Sequence, residues 1–328
     1  MMHKKITGQK VLITGGAGSL GKALTSRLME QGNQVTIYSR DEGKHALAFA
    51  GTEVQRIIGD VRDFDKMNVS VKRANPDLIL HAAALKRIDD MEMSPDECVK
   101  TNIQGSENVA KAALLNDVPR AMLVSTDKAC QPVNVYGSSK FIAERIFTNF
   151  DYHSDSTIFS SVRYGNVIAS RGSFIPLWLS LLQEGQKIKV TSMEMTRFLF
   201  TLGDAVDTVL DASQASEGGE VFIPKINSYD MSTIIQSVED IHGAKVEYDV
   251  TGLRPGEKLH EDMLAKTELP FSYDVAGANL ICVRPQYSKR KRIHNWDSYE
   301  GTEFNSALYV SNDSKKLEEL IRRGMESE

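Results

Sequence analysis

The fold is decided by Lys10-Val-Leu-Ile-Thr14-Gly15-Gly-Ala-Gly18-Ser-Leu-Gly21, close to the start of the 328-residue chain. The apolar run predicts a buried strand, and apolar residues at helical spacing predict a helix from about Ser19 to Gln31. Glycines between a strand and a helix let the backbone approach a pyrophosphate, whose charge favours the helix N-terminus. A tight turn without a ligand is the alternative. We expect a dinucleotide-binding turn built by Gly15, Gly18, Ser19, Leu20 and Gly21.

Alternating strands and helices continue from this turn. Five such alternations in the first 150 residues predict an α/β fold with a doubly wound parallel sheet of the Rossmann type. We expect a dinucleotide-binding domain over residues 1–167, with a returning strand and helix near 198–225. Residues 168–328 would then form a smaller, mainly substrate-binding domain. The segment from about Asp274 to Tyr309 has little periodicity and is expected to be an arm or an oligomer contact, followed by a helix near 313–324.

The choice of dinucleotide depends on the end of the second predicted strand, Ser39-Arg40-Asp41. An arginine and a hydroxyl suit a 2′-phosphate, so NADP is favoured. Asp41 keeps NAD as the alternative, because a carboxylate there accepts hydrogen bonds from the ribose hydroxyls. Further along, Asp60 and Val61 are candidates for the adenine. The small residues Ala82, Ala83 and Ala84 would let the cofactor lie against the backbone.

The stretch Ser125 to Lys140 is where we expect the chemistry. Tyr136 and Lys140 are four residues apart and share a face of the predicted helix. An ammonium beside a phenol stabilises the phenolate, so Tyr136 can carry a proton. Asp127 and Lys128 follow a predicted strand, where ligands collect in open α/β sheets.

Composition and charge exclude several classes of function. The net charge of −5 gives no broad attraction to nucleic acid. The three cysteines and seven histidines form no metal-ligand spacing, so no metal site is predicted and the thiols are expected to be reduced. The sequence contains no long apolar run and no signal-peptide core, which predicts a cytoplasmic protein without a membrane partner.

Single arginines recur in loops of the second half, at Arg171, Arg197 and Arg254. Each alone is most often a solvated surface charge. Together, in the part of the chain expected to cover the carboxyl edge of the sheet, they indicate a diphosphate site, because arginine binds phosphate oxygens in pairs.

The glycine turn and the Tyr136–Lys140 pair resemble the extended short-chain dehydrogenase/reductases that modify nucleotide sugars. Six stretches resemble one branch, the UDP-N-acetylglucosamine 4,6-dehydratases of surface-glycan biosynthesis, over about residues 10 to 265. These are His81-Ala-Ala-Ala-Leu-Lys86, Ser125-Thr-Asp-Lys-Ala129, Arg163-Tyr-Gly-Asn-Val167, Ser170-Arg-Gly-Ser173, Met195-Thr-Arg-Phe198 and Arg254-Pro-Gly-Glu-Lys258. More loosely, Phe304-Asn-Ser306 resembles capsule-type members that also invert C5; some of those lack the tyrosine that this chain has.

The resemblance implies a mechanism and a set of roles. NADP⁺ takes a hydride from C4 of the sugar and returns it to C6, while water leaves from C6. Thr126, Tyr136 and Lys140 belong to the catalytic group, and Tyr136 and Lys140 also contact the cofactor. Asp127 would be the acid at the C6 hydroxyl and Lys128 the base at C5, for which the Lys128 pKa should be lowered. The UDP-sugar would be held by Lys86, which is assigned to the cofactor as well, and by Asn166, Arg171, Arg197, Arg254 and Glu257.

Members of this branch also suggest a homo-oligomer, from dimer to hexamer. The nearest rival function is a nucleotide-sugar 4-epimerase or 4-keto reductase, which needs only the Tyr136–Lys140 pair. Epimerases usually carry small or hydroxyl residues where this chain has Asp127-Lys128. A rival of another class is a non-catalytic NADP-binding sensor, but such proteins usually lose the tyrosine or the lysine that this chain retains.

Overall fold

The computed structural model describes residues 5–168 and 172–326. Its strands are β1 (Lys10–Thr14), β2 (Gln34–Ser39), β3 (Gln55–Ile58), β4 (Leu78–His81), β5 (Arg120–Val124), β6 (Ile158–Val162), β7 (Asn166–Val167), β8 (Ile188–Val190), β9 (Thr196–Phe200), β10 (Val221–Pro224), β11 (Ser228–Asp230), β12 (Tyr248–Val250), β13 (Asp262–Leu264), β14 (Ser272–Asp274), β15 (Leu280–Val283) and β16 (Phe304–Asn305). Its helices are α1 (Ser19–Glu30), α2 (Glu42–Ala48), α3 (Phe64–Ala74), α4 (Ile88–Met93), α5 (Pro95–Cys98), α6 (Gly105–Leu115), α7 (Val135–His153), α8 (Phe174–Gln183), α9 (Leu202–Ala215), α10 (Met231–His242) and α11 (Ser314–Glu326).

The central sheet has nine strands in the order β14-β15-β10-β6-β5-β4-β1-β2-β3. Neighbouring strands from β3 across to β10 are parallel, which confirms the predicted doubly wound α/β fold. The winding reverses between β1 and β4, and this is the point at which open α/β sheets bind ligands at their carboxyl edge. The predicted cofactor-binding and catalytic residues follow strands β1 to β5 of this sheet.

Both faces of the sheet are buried, which explains the continuous apolar run in β1. Leu12 packs with Val109 and Phe147 on one face, whereas Ile13 packs with Leu24 and Leu28 of α1 on the other. Successive residues of a strand point to opposite faces, so a strand covered on both sides reads as apolar throughout. Helix α9 lies against α1, and β10 then enters the sheet beside β6.

A second core supports the carboxyl edge of the sheet. It joins α8, α10 and α11 through buried residues such as Trp178, Ile235 and Leu317. The small sheet β11-β9-β7 belongs to the same region, and β8 pairs with β12. The terminal helix predicted near 313–324 is confirmed by α11, whose apolar face includes Leu317 and Ile321.

The prediction of an arm over Asp274 to Tyr309 is wrong at Leu280–Val283, whereas an oligomer contact by this segment stays a prediction. Leu280–Val283 form β15, which is fully buried and antiparallel to β10, and β14 pairs with β15 at the sheet edge. A short strand buried on both faces has no alternating pattern, which is why periodicity did not reveal it. No helix within the described ranges is both long and apolar enough to cross a membrane.

Candidate active site

The turn after β1 has the geometry of a phosphate cradle. Gly15 has a φ of +71°, and a Cβ there would lie 2.8 Å from the backbone nitrogen of Ala83. A Cβ on Gly21 would lie 2.5 Å from the Gly15 carbonyl oxygen. Only glycine fits both positions. Helix α1 begins after Gly18 without a side-chain cap, so an anion can occupy its N-terminus. These features fit the pyrophosphate of a dinucleotide.

The ends of β2 and β3 bring the predicted adenosine residues together. The Ser39 hydroxyl is hydrogen-bonded to the His45 ring, and the Arg40 guanidinium lies 3.6 Å from the Asp60 carboxylate. Asp41 instead caps α2 by accepting from the Lys44 backbone N–H at 2.9 Å. Arg40 is half exposed, whereas the carboxylate that could favour NAD is engaged in its own helix cap.

Asp60 and Val61, the residues predicted to contact the adenine, also make contacts within the protein. Asp60 accepts hydrogen bonds from the Arg62 backbone and side chain, at 3.0 and 2.9 Å. Although burial raises its pKa, these bonds hold the pKa of Asp60 below the ordinary value. Val61 is buried against Gly105. Both residues nevertheless lie where the carboxyl end of β3 meets the cofactor side of the sheet.

The loop after β4 is fixed by an asparagine. Asn102 accepts a hydrogen bond from the Leu85 N–H at 2.8 Å and donates to the Leu85 carbonyl and the Ser139 hydroxyl, both at 3.0 Å. It lies in the π-helical turn Val99–Gln104, a distortion that often marks a functional region. The small residues Ala82, Ala83 and Ala84 are thus held beside Gly15. Lys86 is exposed beyond this loop.

Tyr136 and Lys140 lie in the first turns of α7, which Asn134 caps through the Gly137 N–H at 2.7 Å. Helix α7 packs so closely that a Cβ on Gly137 would lie 2.2 Å from the Lys128 carbonyl oxygen. This packing brings the helix against the turn Asp127–Ala129. Thr126 donates to Asp127 at 2.8 Å, and its hydroxyl lowers the pKa of Tyr136.

Burial shifts the pKa values of Tyr136 and Lys140 in opposite directions. Burial raises the pKa of Tyr136 to about 12, against the opposing effects of Lys128 and Thr126. Burial lowers the pKa of Lys140 to about 8, with Glu144 opposing. Lys128 is a cation whose charge lowers the Tyr136 pKa in this structure. Stabilisation of the phenolate by Lys140, which the spacing predicts, stays a prediction.

A cluster of three charged side chains, the Lys128 cluster, lies beside Tyr136. Lys128 Nζ is 3.1 Å from Asp127 Oδ1 and 3.2 Å from Glu261 Oε1. Burial favours the neutral amine, but the two carboxylates outweigh it and raise the pKa of Lys128 above its ordinary value. The expected lowering of this pKa is wrong, because sequence analysis did not identify Glu261. Burial, aided by Glu261, raises the pKa of Asp127.

The Lys128 cluster borders a cleft of about 150 Å³. The cleft brings together the predicted substrate residues Asn166, Arg197, Arg254 and Glu257. Arg197 is buried, and its guanidinium donates to the carbonyls of Thr196, Leu259 and Lys258. Arg254 is exposed and pairs with Glu257 at 3.0 Å and with Asp89 at 2.9 Å.

Two predicted substrate residues fall outside this group. Arg171 lies outside the described residues. Lys86 is not part of the cleft lining. Conversely, sequence analysis missed Lys258, whose ammonium donates to the Cys130 carbonyl and to Asp262, both at 3.0 Å, and the apolar lining residues Ile88, Val133 and Phe174.

A second charged group, the Arg163 cluster, lies beneath the same strand end. Arg163 is 1% exposed and pairs with both carboxylate oxygens of Glu144 and of Glu268. Glu144 also accepts from the Ser125 hydroxyl at 2.6 Å. Arg163 opens one of the stretches that resemble the dehydratase branch, but its position in the sequence does not predict this role. The cluster anchors the strand end from which Thr126 and Asp127 project.

Comparison with known proteins decides the family. A family model described as polysaccharide biosynthesis protein matches residues 11–279. The chain belongs to this family. It is 39% identical to the UDP-N-acetylglucosamine 4,6-dehydratase (inverting) of Campylobacter jejuni over 275 residues, which cover 81% of this chain and 80% of the relative. It is also 36% identical to the UDP-glucose 4-epimerase of Rickettsia bellii over 317 residues, covering 94% and 88% of the two chains.

Solved structures agree with the fold. Pen from Bacillus thuringiensis has a TM-score of 0.88 at 31% identity, and the match covers 98% of this chain and 99% of that one. A dTDP-glucose 4,6-dehydratase from Streptomyces venezuelae with NAD bound has a TM-score of 0.69 at 19% identity, over 77% and 87% of the chains, which shows the fold alone. The resemblance to extended short-chain dehydrogenase/reductases of the UDP-N-acetylglucosamine 4,6-dehydratase branch is confirmed.

Proposed function

We propose that this polysaccharide biosynthesis protein is an NADP-dependent 4,6-dehydratase. Its substrate would be UDP-N-acetylglucosamine and its product a UDP-4-keto-6-deoxy-N-acetylhexosamine, with or without inversion at C5. One observation carries the proposal: an acid and an amine, Asp127 and Lys128, lie 3.1 Å apart, and Lys128 lines the cleft. A 4-epimerase needs no acid–base pair for the loss of water.

The chain's own residues account for the proton transfers. When bound, NADP⁺ supplies the acceptor for the C4 hydride and returns that hydride to C6. Tyr136 accepts the proton of the C4 hydroxyl. The resulting 4-keto group acidifies the C5 proton, which Lys128 removes as the neutral amine. Asp127 gives its proton to the C6 hydroxyl, which leaves as water. When hydride has been added at C6, C5 takes a proton back, from the Lys128 ammonium if the configuration is kept, and this completes the 4-keto-6-deoxy product.

Proton balance over a cycle requires a return path. Tyr136 gains the proton that came from C4, whereas Asp127 loses the proton that left with water. Thr126 is placed to connect the two, since its hydroxyl donates to Asp127 Oδ1 at 2.8 Å and also lowers the pKa of Tyr136. A proton moving along this path restores both residues. Thr126 would therefore belong to the catalytic group.

The cleft supports binding of a UDP-sugar. Arg254 is the accessible cation at its mouth, and its pairs with Asp89 and Glu257 are solvent-exposed enough to be exchanged for a diphosphate. Buried Arg197 would act mainly by holding the loop 257–261 in place and by its charge. Asn166 Oδ1 is buried without a hydrogen-bond partner among the described residues, so it is suited to accept from a sugar hydroxyl or amide.

NADP is proposed over NAD because Arg40 is loosely held and half exposed, whereas Asp41 is engaged in capping α2. A 2′-phosphate between Ser39 and Arg40 would meet a hydroxyl and a guanidinium. A homo-oligomer, between dimer and hexamer, also remains a proposal, which light scattering of the purified protein checks.

The second candidate is a 4-epimerase, favoured by the relatives that bear the name UDP-glucose 4-epimerase. Purified enzyme with UDP-N-acetylglucosamine and bound cofactor separates the two. A dehydratase gives a product lighter by one water with no net change in reduced cofactor. An isomer of unchanged mass would show an epimerase, and consumption of one NADPH per product would show a reductase.

A further inference from the structure

Glu261 is a buried carboxylate at the centre of the site. It lines the cleft, is 2% exposed, and places Oε1 3.2 Å from Lys128 Nζ. Its second oxygen, Oε2, has no hydrogen-bond partner among the described residues, and the same is true of Asp127 Oδ2. Two half-satisfied carboxylates thus converge on one ammonium. Buried carboxylate oxygens without hydrogen bonds lower the stability of the fold, so their presence here indicates a functional role.

The backbone of Glu261, rather than its side chain, carries its structural contacts. Its N–H donates to the Ser306 hydroxyl and its carbonyl accepts from the Ser306 N–H, both at 2.8 Å. The Ser306 hydroxyl also lies 2.6 Å from the Thr196 hydroxyl. These contacts fix the Cα position, so the side chain can be changed without removing them.

We propose that Glu261 is a positioning residue of the dehydratase reaction, whose negative charge keeps one proton shared between Lys128 and Asp127. In the resting cluster the proton is on Lys128. Its transfer across the 3.1 Å contact to Asp127 produces a neutral amine and a carboxylic acid without exchange with solvent. Lys128 then takes the C5 proton and Asp127 protonates the departing C6 hydroxyl, which leaves Lys128 as the ammonium and Asp127 as the carboxylate. This inference rests on the proposed function.

The charges around Glu261 are consistent with an ionised carboxylate. Burial opposes ionisation, but Lys128 and Arg197 outweigh it and hold the pKa of Glu261 below the ordinary value. Its charge in turn raises the pKa values of Asp127 and Lys128. The other titratable groups that face the cluster are Arg197 on β9, Tyr136 on α7, and Lys258, Glu257 and His260 on the loop before β13.

The direction in which the pH profile shifts follows from the negative charge of Glu261. Activity requires one proton on the Asp127–Lys128 pair, so the acid limb of the pH profile reflects binding of a second proton and the alkaline limb loss of the first. Removing a neighbouring negative charge weakens proton binding in both steps. Glu261→Gln should therefore move both limbs of kcat/KM to lower pH, by about one unit or more.

Three variants serve as comparisons. Glu261→Asp keeps the charge but moves it away from Lys128. Both limbs of the pH profile should therefore move to lower pH, but by less than in Glu261→Gln. Glu257→Gln removes a charge from the same cleft without a direct contact to Lys128, and should leave the limbs in place while raising KM. Ser306→Ala removes a contact to the Glu261 backbone at constant charge, and should lower thermal stability without moving the limbs.

A readout independent of turnover is the titration of Lys128, followed by NMR of ¹³C-labelled lysine and assigned with Lys128→Ala. The midpoint should fall in Glu261→Gln and fall less in Glu261→Asp. The inference is overturned if neither the limbs of the pH profile nor the Lys128 midpoint move in Glu261→Gln and Glu261→Asp. It is also overturned if Glu257→Gln shifts them as much as Glu261→Gln does. If the wild type forms no keto sugar, the proposed function fails, and the lysine titration still decides the role of Glu261 in proton sharing.

Discussion

The Arg163 and Lys128 clusters have the same formal composition, one cation and two carboxylates, and they lie at the ends of the neighbouring strands β6 and β5. In the Arg163 cluster both oxygens of Glu144 and both of Glu268 accept hydrogen bonds. In the Lys128 cluster, one oxygen of Asp127 and one of Glu261 have no partner among the described residues. A fully bonded cluster holds structure, whereas a half-bonded one keeps acceptors free for a substrate and protons free to move.

The cations of the two clusters also differ in solvent exposure. The Arg163 side chain is 1% exposed, whereas that of Lys128 is 15% exposed and borders the cleft. Changes in the first should therefore affect the stability of the protein, and changes in the second its activity.

Asp127→Asn and Lys128→Ala should each reduce dehydration by about 10²–10⁴-fold, because each removes one of the two proton-transfer groups. NADP binding, measured by fluorescence titration, should be unchanged. Thermal unfolding of each variant controls for loss of structure. Near-full activity in either variant would show that we have assigned that residue the wrong role.

Arg163→Met should lower the free energy of unfolding by about 3–5 kcal/mol, because two buried carboxylates lose their cation. Lys128→Met leaves Asp127 and Glu261, of which Glu261 lines the cleft, and either carboxylate can take up a proton, so its loss should be clearly smaller. Urea denaturation of both variants measures the difference. Equal losses would mean that the two clusters do not differ as described.

Lys140 links stability to pH. Its pKa is about 8 in the folded protein and 10.5 ordinarily, so between these values the unfolded chain holds the proton that the folded protein has released. The cofactor-free protein should therefore gain stability as pH rises through this range, on the order of one to a few kcal/mol. Lys140→Met should remove the gain and be inactive. A wild-type curve that falls over the same range, relative to the variant, would contradict the buried, weakly basic lysine.

Arg40→Ala tests a position far from both clusters. We expect NADP binding to weaken about tenfold, which corresponds to one charge-assisted hydrogen bond to the 2′-phosphate, and NAD binding to change little. Isothermal titration with both cofactors gives the ratio. Equal weakening of the two would reverse the preference for NADP.

The fold and half of the site were predictable from local sequence patterns. The β1–α1 turn, the parallel sheet and the Tyr136–Lys140 spacing depend on neighbours in the chain, and so does the position of Asp127 and Lys128 after β5. The buried strand β15 and the tail that supports Glu261 were not predictable, because their pairing depends on distant residues.

The direction of the Lys128 pKa was missed for the same reason. Glu261 is more than a hundred positions away in the sequence, and long-range contacts bring it to Lys128, among them the pairing of β13 with β16 and the contacts of Ser306. The domain division at residue 167, the residue roles and the oligomeric state remain predictions.

Incubation with UDP-N-acetylglucosamine in D₂O, followed by NMR of the product, distinguishes dehydration from epimerisation. We expect a 4-keto-6-deoxy sugar with a methyl group at C6 and solvent deuterium at C5, and the configuration at C5 shows whether it is inverted. A product that retains its C6 hydroxyl and its C5 proton and differs only at C4 would contradict the dehydratase assignment.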